Sequence, residues 1–189
     1  MQSIFTATAA LMLHLGAATI YAQPGPVNIT VSGTAAASTI SLRTDAPTSE
    51  YLLAGNGALG QFDLRTVSVS IPASQPSTCS GSSKIYGSAV AGGGVFRFAD
   101  GGLLKVNLTG GSDCIDLTVF QALCIRNLQI TGGTGRFKKV SGGKIALTET
   151  VLAVLFDSTG NPVFFAATGE MTGAVSGVAM AAESQDVPQ

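Results

Sequence analysis

The segment that decides the fold is Ile130-Thr-Gly-Gly-Thr-Gly-Arg-Phe-Lys-Lys-Val-Ser-Gly-Gly143. Glycines stand at both ends of a short central stretch, so the sequence predicts a glycine-rich turn, a short strand and a second glycine turn. The longest strand-like run of the chain follows directly, at residues 144–156. A turn that leads into a long strand in this way is typical of a meandering antiparallel β-sheet.

Most of the remaining chain is also predicted to be strand. From Val27 to Ser32, apolar and polar side chains alternate, which is the period-two pattern of a half-buried strand. No segment carries a sustained 3.6-residue apolar stripe, so helix is a minor component at most. Many short strands with glycine-containing turns favour a β-sandwich or a closed barrel. The other predicted strands are residues 39–44, 51–54, 62–71, 84–91, 95–99, 103–108, 115–119, 124–130 and 162–175.

The pattern Gly132-Gly133-Thr134-Gly135-Arg136-Phe137, with Gly142 shortly after, resembles the hairpin signature of the allene oxide cyclase and dirigent barrel group. The similarity covers roughly residues 128–177, and uncharacterised secreted bacterial proteins are similar in the same part. It implies an all-β, antiparallel barrel of eight strands with a central cavity, and often a trimer; a β-sandwich is the alternative fold.

The residues that match this group are structural ones. Gly132, Gly133 and Gly135 are expected to supply turn conformations with positive φ, Gly142 belongs to the second turn, and Phe137 is a predicted core side chain. The strands that bear the group's catalytic residues do not align with this chain, so no catalytic residue is carried over. The resemblance therefore predicts a fold, and function does not follow from fold alone.

The N-terminal segment predicts export. Residues 1–22 contain no Lys, Arg, Asp or Glu, and residues 4–20 are mostly apolar. This pattern predicts a secretory signal peptide over 1–22, cleaved after Ala22. An uncleaved membrane anchor is the alternative, although the run is short for a span. We expect one barrel domain over 23–178 and a flexible tail over 179–189, in a protein that is secreted, periplasmic or cell-surface, without stable membrane insertion after cleavage.

The composition of the mature chain excludes several classes of function. The only histidine is His14, inside the predicted signal peptide. A mature chain without imidazole cannot be a Ser-His-Asp or Cys-His hydrolase, nor hold a metal through histidine. No helix is predicted after the glycine-rich segment, as a phosphate-binding loop would require. We predict no cofactor, no metal and, since ten basic and eleven acidic residues nearly balance, no nucleic-acid partner.

Three cysteines, Cys79, Cys114 and Cys124, are expected to form one disulfide in an oxidising compartment. A turn near Val119 would place Cys114 opposite Cys124, and this pair is the predicted bridge. Cys79 lies in a loop rich in serine and glycine. It is either a free thiol or the partner of one of the other two.

Five side chains are candidates for lining a cavity. Glu149 is the one charge among the apolar odd-numbered positions of residues 144–156. Inside a barrel it would have a raised pKa and could act as an acid, a base or a ligand anchor; alternatively, a bulge turns it to water. Asp63 and Arg65 are either a buried pair at the barrel mouth or a strand end in solvent. Tyr51 and Tyr86 would contact a ligand or belong to the core.

The first functional hypothesis is a non-enzymatic one. The protein would bind a small apolar molecule, or would serve a structural, oligomeric role. One alternative, which the resemblance implies, is a cyclase- or dirigent-like enzyme that steers a reactive intermediate in an apolar cavity. Another is a cell-surface adhesive module. Glu149, or Asp63 with Arg65, pointing into a lumen would favour ligand binding or catalysis.

Overall fold

The chain folds into a closed barrel of eight antiparallel strands, each paired with its neighbours in sequence. The computed structural model describes residues 25–178, so the predicted signal peptide and the predicted tail lie outside the described residues. Within this part of the chain, no helix has the length and apolar character needed to cross a membrane. The strands are β1 Gly25–Ala37, β2 Thr48–Gly55, β3 Phe62–Pro72, β4 Lys84–Phe98, β5 Leu103–Asp116, β6 Gln121–Gly133, β7 Gly142–Phe156 and β8 Pro162–Ser176.

The first and last strands close the sheet. β1 pairs with β8 from Gly25 opposite Val175 to Ala36 opposite Phe164. This pairing confirms the predicted eight-stranded barrel and excludes the alternative of two stacked sheets. Closure also removes the free edges through which open sheets aggregate.

Two glycine runs that separate the predicted strands 84–91 and 95–99, and 103–108 and 115–119, lie inside longer strands. Residues 92–94 are in β4, and Gly110 and Gly111 are in β5. The register shifts close to both runs, where β4 pairs with β3 and where β5 pairs with β6. Bulges and glycines let a long strand bend around a barrel, so these residues supply curvature instead of chain reversal. Residues 39–44, predicted as a strand, belong to the β1–β2 loop.

The two ends of the barrel differ. At one end, which we call the plugged end, lie the β2–β3, β4–β5 and β6–β7 loops, and Phe137 from the last of these is fully buried. Its ring centroid is 4.4 Å from that of Phe98, which confirms the predicted core role. At the other end, which we call the hairpin end, lie the β1–β2, β3–β4, β5–β6 and β7–β8 connections.

The segment around Phe137 is a short 3-10 helix, Gly135–Phe137, and not the predicted short strand. Gly132, Gly135 and Gly142 have positive φ angles of 151°, 59° and 144°. Gly133 does not, so that prediction was wrong for this residue. A Cβ atom there would lie 2.5 Å from the Cβ of Phe137, so Gly133 is required by the close approach of the plug.

The disulfide joins Cys79 to Cys114, and Cys124 is a buried free thiol. The predicted Cys114–Cys124 bridge is wrong because the β5–β6 hairpin differs by one residue from the expected register. Asp113 lies opposite Cys124, and Cys114 lies opposite Leu123. Successive residues of a strand point to opposite faces, so Cys124 and Asp113 face the lumen while Cys114 faces outward. The bridge thus fastens the β3–β4 loop to the outside of β5.

Replacing both bridged cysteines, Cys79→Ser with Cys114→Ser, is expected to lower the free energy of unfolding by about 4 kcal/mol in urea denaturation, because the bridge spans 35 residues. Peptide mapping without reductant should recover a Cys79–Cys114 peptide, and Cys124 should react with thiol reagents only after unfolding. A crosslinked peptide that contains Cys124 would contradict the register of β5 and β6.

Candidate ligand site in the barrel lumen

The side chains that face the lumen form two layers. Large apolar residues fill the layer next to the plugged end, among them Phe62, Phe96, Phe98, Leu104 and Ile145. A second layer, nearer the hairpin end, holds buried polar and ionisable side chains, which include Tyr51, Ser68, Asp113, Cys124, Arg126 and Glu149. Buried polar groups are costly unless they are paired, so each member of this polar layer needs a partner.

Arg126 on β6 is the centre of the polar layer. Its Nη1 donates to Asp113 Oδ1 at 2.6 Å and to two backbone oxygens. Its Nη2 donates to Tyr51 Oη at 3.1 Å, and its Nε donates to Ser68 Oγ at 3.3 Å. The guanidinium carbon lies 5.6 Å from the centre of the Tyr51 ring. β2, β3 and β5 therefore each supply an acceptor to a guanidinium that could not be buried alone.

Asp113 completes this pair. One carboxylate oxygen accepts from Arg126, and the other accepts from Ser70 Oγ at 2.5 Å. Both charged side chains are buried, with exposures of 4% for Arg126 and 11% for Asp113. The two opposite charges cancel, so the pair is electrically neutral as a unit.

Glu149 lies beside this pair without being part of it. It is on the lumen face of β7, opposite Cys124, and is 1% exposed. Within residues 25–178, no group forms a hydrogen bond with either of its carboxyl oxygens. Burial raises the pKa of Glu149 to about 7; Arg126 opposes this shift, and the charge of Asp113 adds to it.

The Cys124 thiol and the Tyr51 hydroxyl of the layer stay protonated. Burial raises the pKa of the Cys124 thiol, and the negative charge of Asp113 adds to the shift. Burial likewise raises the pKa of the Tyr51 hydroxyl. Cys124 is therefore a neutral thiol and not a reactive thiolate, and Tyr51 is a neutral hydrogen-bond donor.

The structure separates the predicted site residues. The lumen-facing alternative for Glu149 is correct, because the bulge in β7 comes after Ala153 and leaves the register at Glu149 unchanged. Tyr51 also faces the lumen. Asp63 and Arg65 do not form a buried pair at the mouth, since both are exposed and Arg65 pairs instead with Glu50 at 2.6 Å.

Tyr86 lies outside the lumen site. It pairs across β4 and β5 with Cys114, which faces outward, so the two side chains share the outer face. The sequence interpretation also missed Arg126. That residue is the one charge among the apolar even-numbered positions of β6, as Glu149 is on β7, so the same signal could have identified both.

The mouth of the lumen lies at the hairpin end. Ala122, Ala153 and Phe165 face the lumen there and are half-buried, whereas the plug residue Phe137 is fully buried. Opposite Glu149 on β8 is Gly169, where a Cβ atom would lie 2.9 Å from the Cβ of Glu149. Gly169 thus allows the backbones of β7 and β8 to approach closely beside Glu149.

The outer surface offers less chemistry. Three depressions of 410–470 Å³ lie there, and Glu149 lines none of them. Across the described residues, no group of three or more His, Cys, Asp or Glu side chains is placed to hold a metal ion. Comparisons with family models, with curated proteins and with solved structures found no match to this chain. The functional argument therefore rests on the lumen.

The pKa of Glu149 makes stability depend on pH. Its carboxyl ionises near pH 4.5 when unfolded and near 7 when folded, so the folded state binds more protons between these values. The free energy of unfolding should then fall as pH rises through this window, by about 3 kcal/mol in total, and level off above it. Below the window the stability is fully present.

The measurement is urea unfolding from pH 4.5 to 8.5. The difference between the wild type and Glu149→Gln should show this fall, because the amide does not titrate. The matched control is Glu170→Gln, which replaces an exposed glutamate of β8. Equal curves for the two variants would rule out a raised pKa at Glu149.

Proposed function

We propose that the barrel binds one small molecule in its lumen, through an apolar body and one polar group that meets Glu149. The observation that carries this proposal is a carboxyl that is buried, lies beside a guanidinium and has no hydrogen-bond partner within residues 25–178. Such a group costs stability in the unliganded protein. Proteins retain local penalties of this kind mostly at functional sites.

The arrangement of the lumen supports entry from the hairpin end. A ligand would pass Ala122, Ala153 and Phe165, and its apolar body would contact Val151 and Ala167. Its polar end would then reach the layer of Glu149 and Arg126. Eight-stranded barrels of this kind hold one small ligand or fill their interior with side chains. The proposed ligand differs from the small apolar molecule of the sequence-based hypothesis in one respect: it also carries a polar group that contacts the polar layer.

Catalysis in the same lumen is the alternative, and the pKa of Glu149 favours it. A carboxyl with a pKa of about 7 can both accept and donate a proton near neutral pH. A cyclase- or dirigent-like reaction needs a shaped cavity more than a nucleophile. A ligand bound at Glu149 would be the substrate in that case, so binding is the property to test first.

The test uses the fluorescent apolar probe N-phenyl-1-naphthylamine. We expect one probe per chain, and an affinity at least about tenfold weaker in Ala122→Phe and Ala153→Phe, because a phenyl ring at either position fills the entry to the lumen. The matched control is Ala54→Phe, an exposed outward position of β2. Binding that all three variants retain at wild-type strength would place the probe outside the lumen and refute the proposal.

We also propose that the outer face of β6, β7 and β8 at the hairpin end mediates self-association, with a second copy of the chain as the occupant. Large apolar side chains cluster there with exposures of 37–58%. At that exposure they leave roughly 800 Å² in water, which is one partner's share of a standard interface. The members of this apolar face are Leu117, Val119, Phe120, Leu123, Leu152, Val154, Leu155, Phe156, Val163 and Phe164.

The geometry of Phe120 supports this proposal. It is the one non-glycine residue within 25–178 with a positive φ, at 48°, and its ring packs on Phe156 with centroids 5.2 Å apart. A bulky residue in this conformation is strained, yet the strain holds a phenyl ring in water. The nearby acidic residues Asp116 and Asp157 disfavour an anionic lipid surface as the partner.

Sedimentation equilibrium tests the association at about 5–100 µM, a range that covers the dissociation constants of weak to moderate dimers. The wild type should sediment as an oligomer, and Leu123→Lys with Leu152→Lys should sediment as a monomer, since charges in an apolar interface oppose burial. Leu52→Lys is the matched control, because Leu52 is exposed on β2 across the barrel and should not affect association. A monomeric wild type over the whole range would contradict the proposal.

A further inference from the structure

Building on the proposed lumen site, we infer that the polar group of the ligand is a neutral hydroxyl, held between Glu149 and Arg126. Arg126 is two residues along β6 from Cys124, and Cys124 is opposite Glu149. Guanidinium and carboxyl therefore lie on a diagonal of adjacent strands, with a Cα separation of about 7 to 8 Å. Neither carboxyl oxygen has a hydrogen bond to the guanidinium or to any other group of residues 25–178.

Within residues 25–178, Arg126 keeps one N–H without an acceptor. Its Nη2 donates one hydrogen bond to Tyr51 Oη and carries a second N–H. Glu149 offers acceptors in its ionised form. A group placed between them is best satisfied if it accepts from Arg126 and donates to Glu149. A hydroxyl does both, whereas an ether or a ketone only accepts.

The groups around the site satisfy a neutral hydroxyl better than an ionised ligand. The groups that face Glu149 are Tyr51 from β2, Asp113 from β5, and Cys124 and Arg126 from β6. An ammonium ligand would lie beside the guanidinium of Arg126, and a carboxylate ligand would add a negative charge next to Asp113 and Glu149. The carboxylate would bring like charges together in a buried space. The ammonium would balance the charge of Glu149 but could not accept from Arg126, so a hydroxyl is the group that satisfies both partners.

The test compares four probes with closely similar alkyl chains, namely 1-octanol, 1-methoxyoctane, octylamine and octanoate, by isothermal titration calorimetry at pH 8. We expect 1-octanol to bind about tenfold or more tightly than each of the other three, because a hydrogen bond to a buried charged group contributes that much. The ether is the more apolar molecule, so a general hydrophobic preference would favour it over the alcohol.

The variant Glu149→Met removes the acceptor and keeps the volume. It should bind 1-methoxyoctane as the wild type does and lose most of the preference for 1-octanol. Ala122→Phe should weaken every probe that enters the lumen. Circular dichroism of each variant establishes that it is folded.

The outcomes separate the two proposals. If the alcohol and the ether bind equally in the wild type and Ala122→Phe weakens both, the lumen site stands and the hydroxyl inference fails. If octylamine or octanoate binds most tightly, the hydroxyl inference is replaced by an ionic one. If Ala122→Phe changes the binding of none of the probes, or none of them binds, the lumen site and the inference fail together.

Discussion

The barrel depends on the pairing of β1 with β8, because this pairing separates the lumen from water. It has two opposite effects. Next to the plugged end, closure buries aromatic and aliphatic side chains and stabilises the fold through the hydrophobic effect. In the polar layer, the same exclusion of water makes every uncompensated charge costly. The position of a residue along the lumen decides which effect it experiences.

The polar layer meets this constraint for all but one of its charges. Arg126 and Asp113 neutralise each other, and the remaining guanidinium donors find Tyr51, Ser68 and backbone oxygens. Glu149 leaves the layer with one acidic group in excess. Burial raises the pKa of Glu149 to about 7, so its carboxyl group binds a proton near neutral pH. A proton and the proposed ligand would compete for the carboxyl group of Glu149. This competition is why we propose a binding role for the site.

Alternation along single strands was enough to predict Glu149 on the lumen face, because it is a local property that a later bulge does not reverse. The barrel and the core role of Phe137 were also predicted from the sequence. The glycine runs of β4 and β5 were not interpreted correctly, since glycine supplies either a turn or a bulge and composition does not distinguish them. The predicted Cys114–Cys124 disulfide was wrong for a similar reason, because a shift of one residue in strand pairing moves a cysteine to the other face of the sheet. The Arg126–Asp113 pair joins two strands, so its geometry depends on a register that the sequence does not specify.

Both proposed functions use the hairpin end, and this has a thermodynamic consequence. Phe164 belongs to the apolar outer face, and Phe165, its neighbour on β8, faces the entry to the lumen. A second copy that covers Phe164 and a ligand that contacts Phe165 would thus act on adjacent residues of one strand. Any effect of association on ligand affinity must be matched by an equal effect of ligand on association, because binding free energies are linked. The plugged end, which Phe137 fills, belongs to neither proposed site. Coupling between ligand binding and self-association is therefore expected where the β7–β8 hairpin meets the mouth of the barrel.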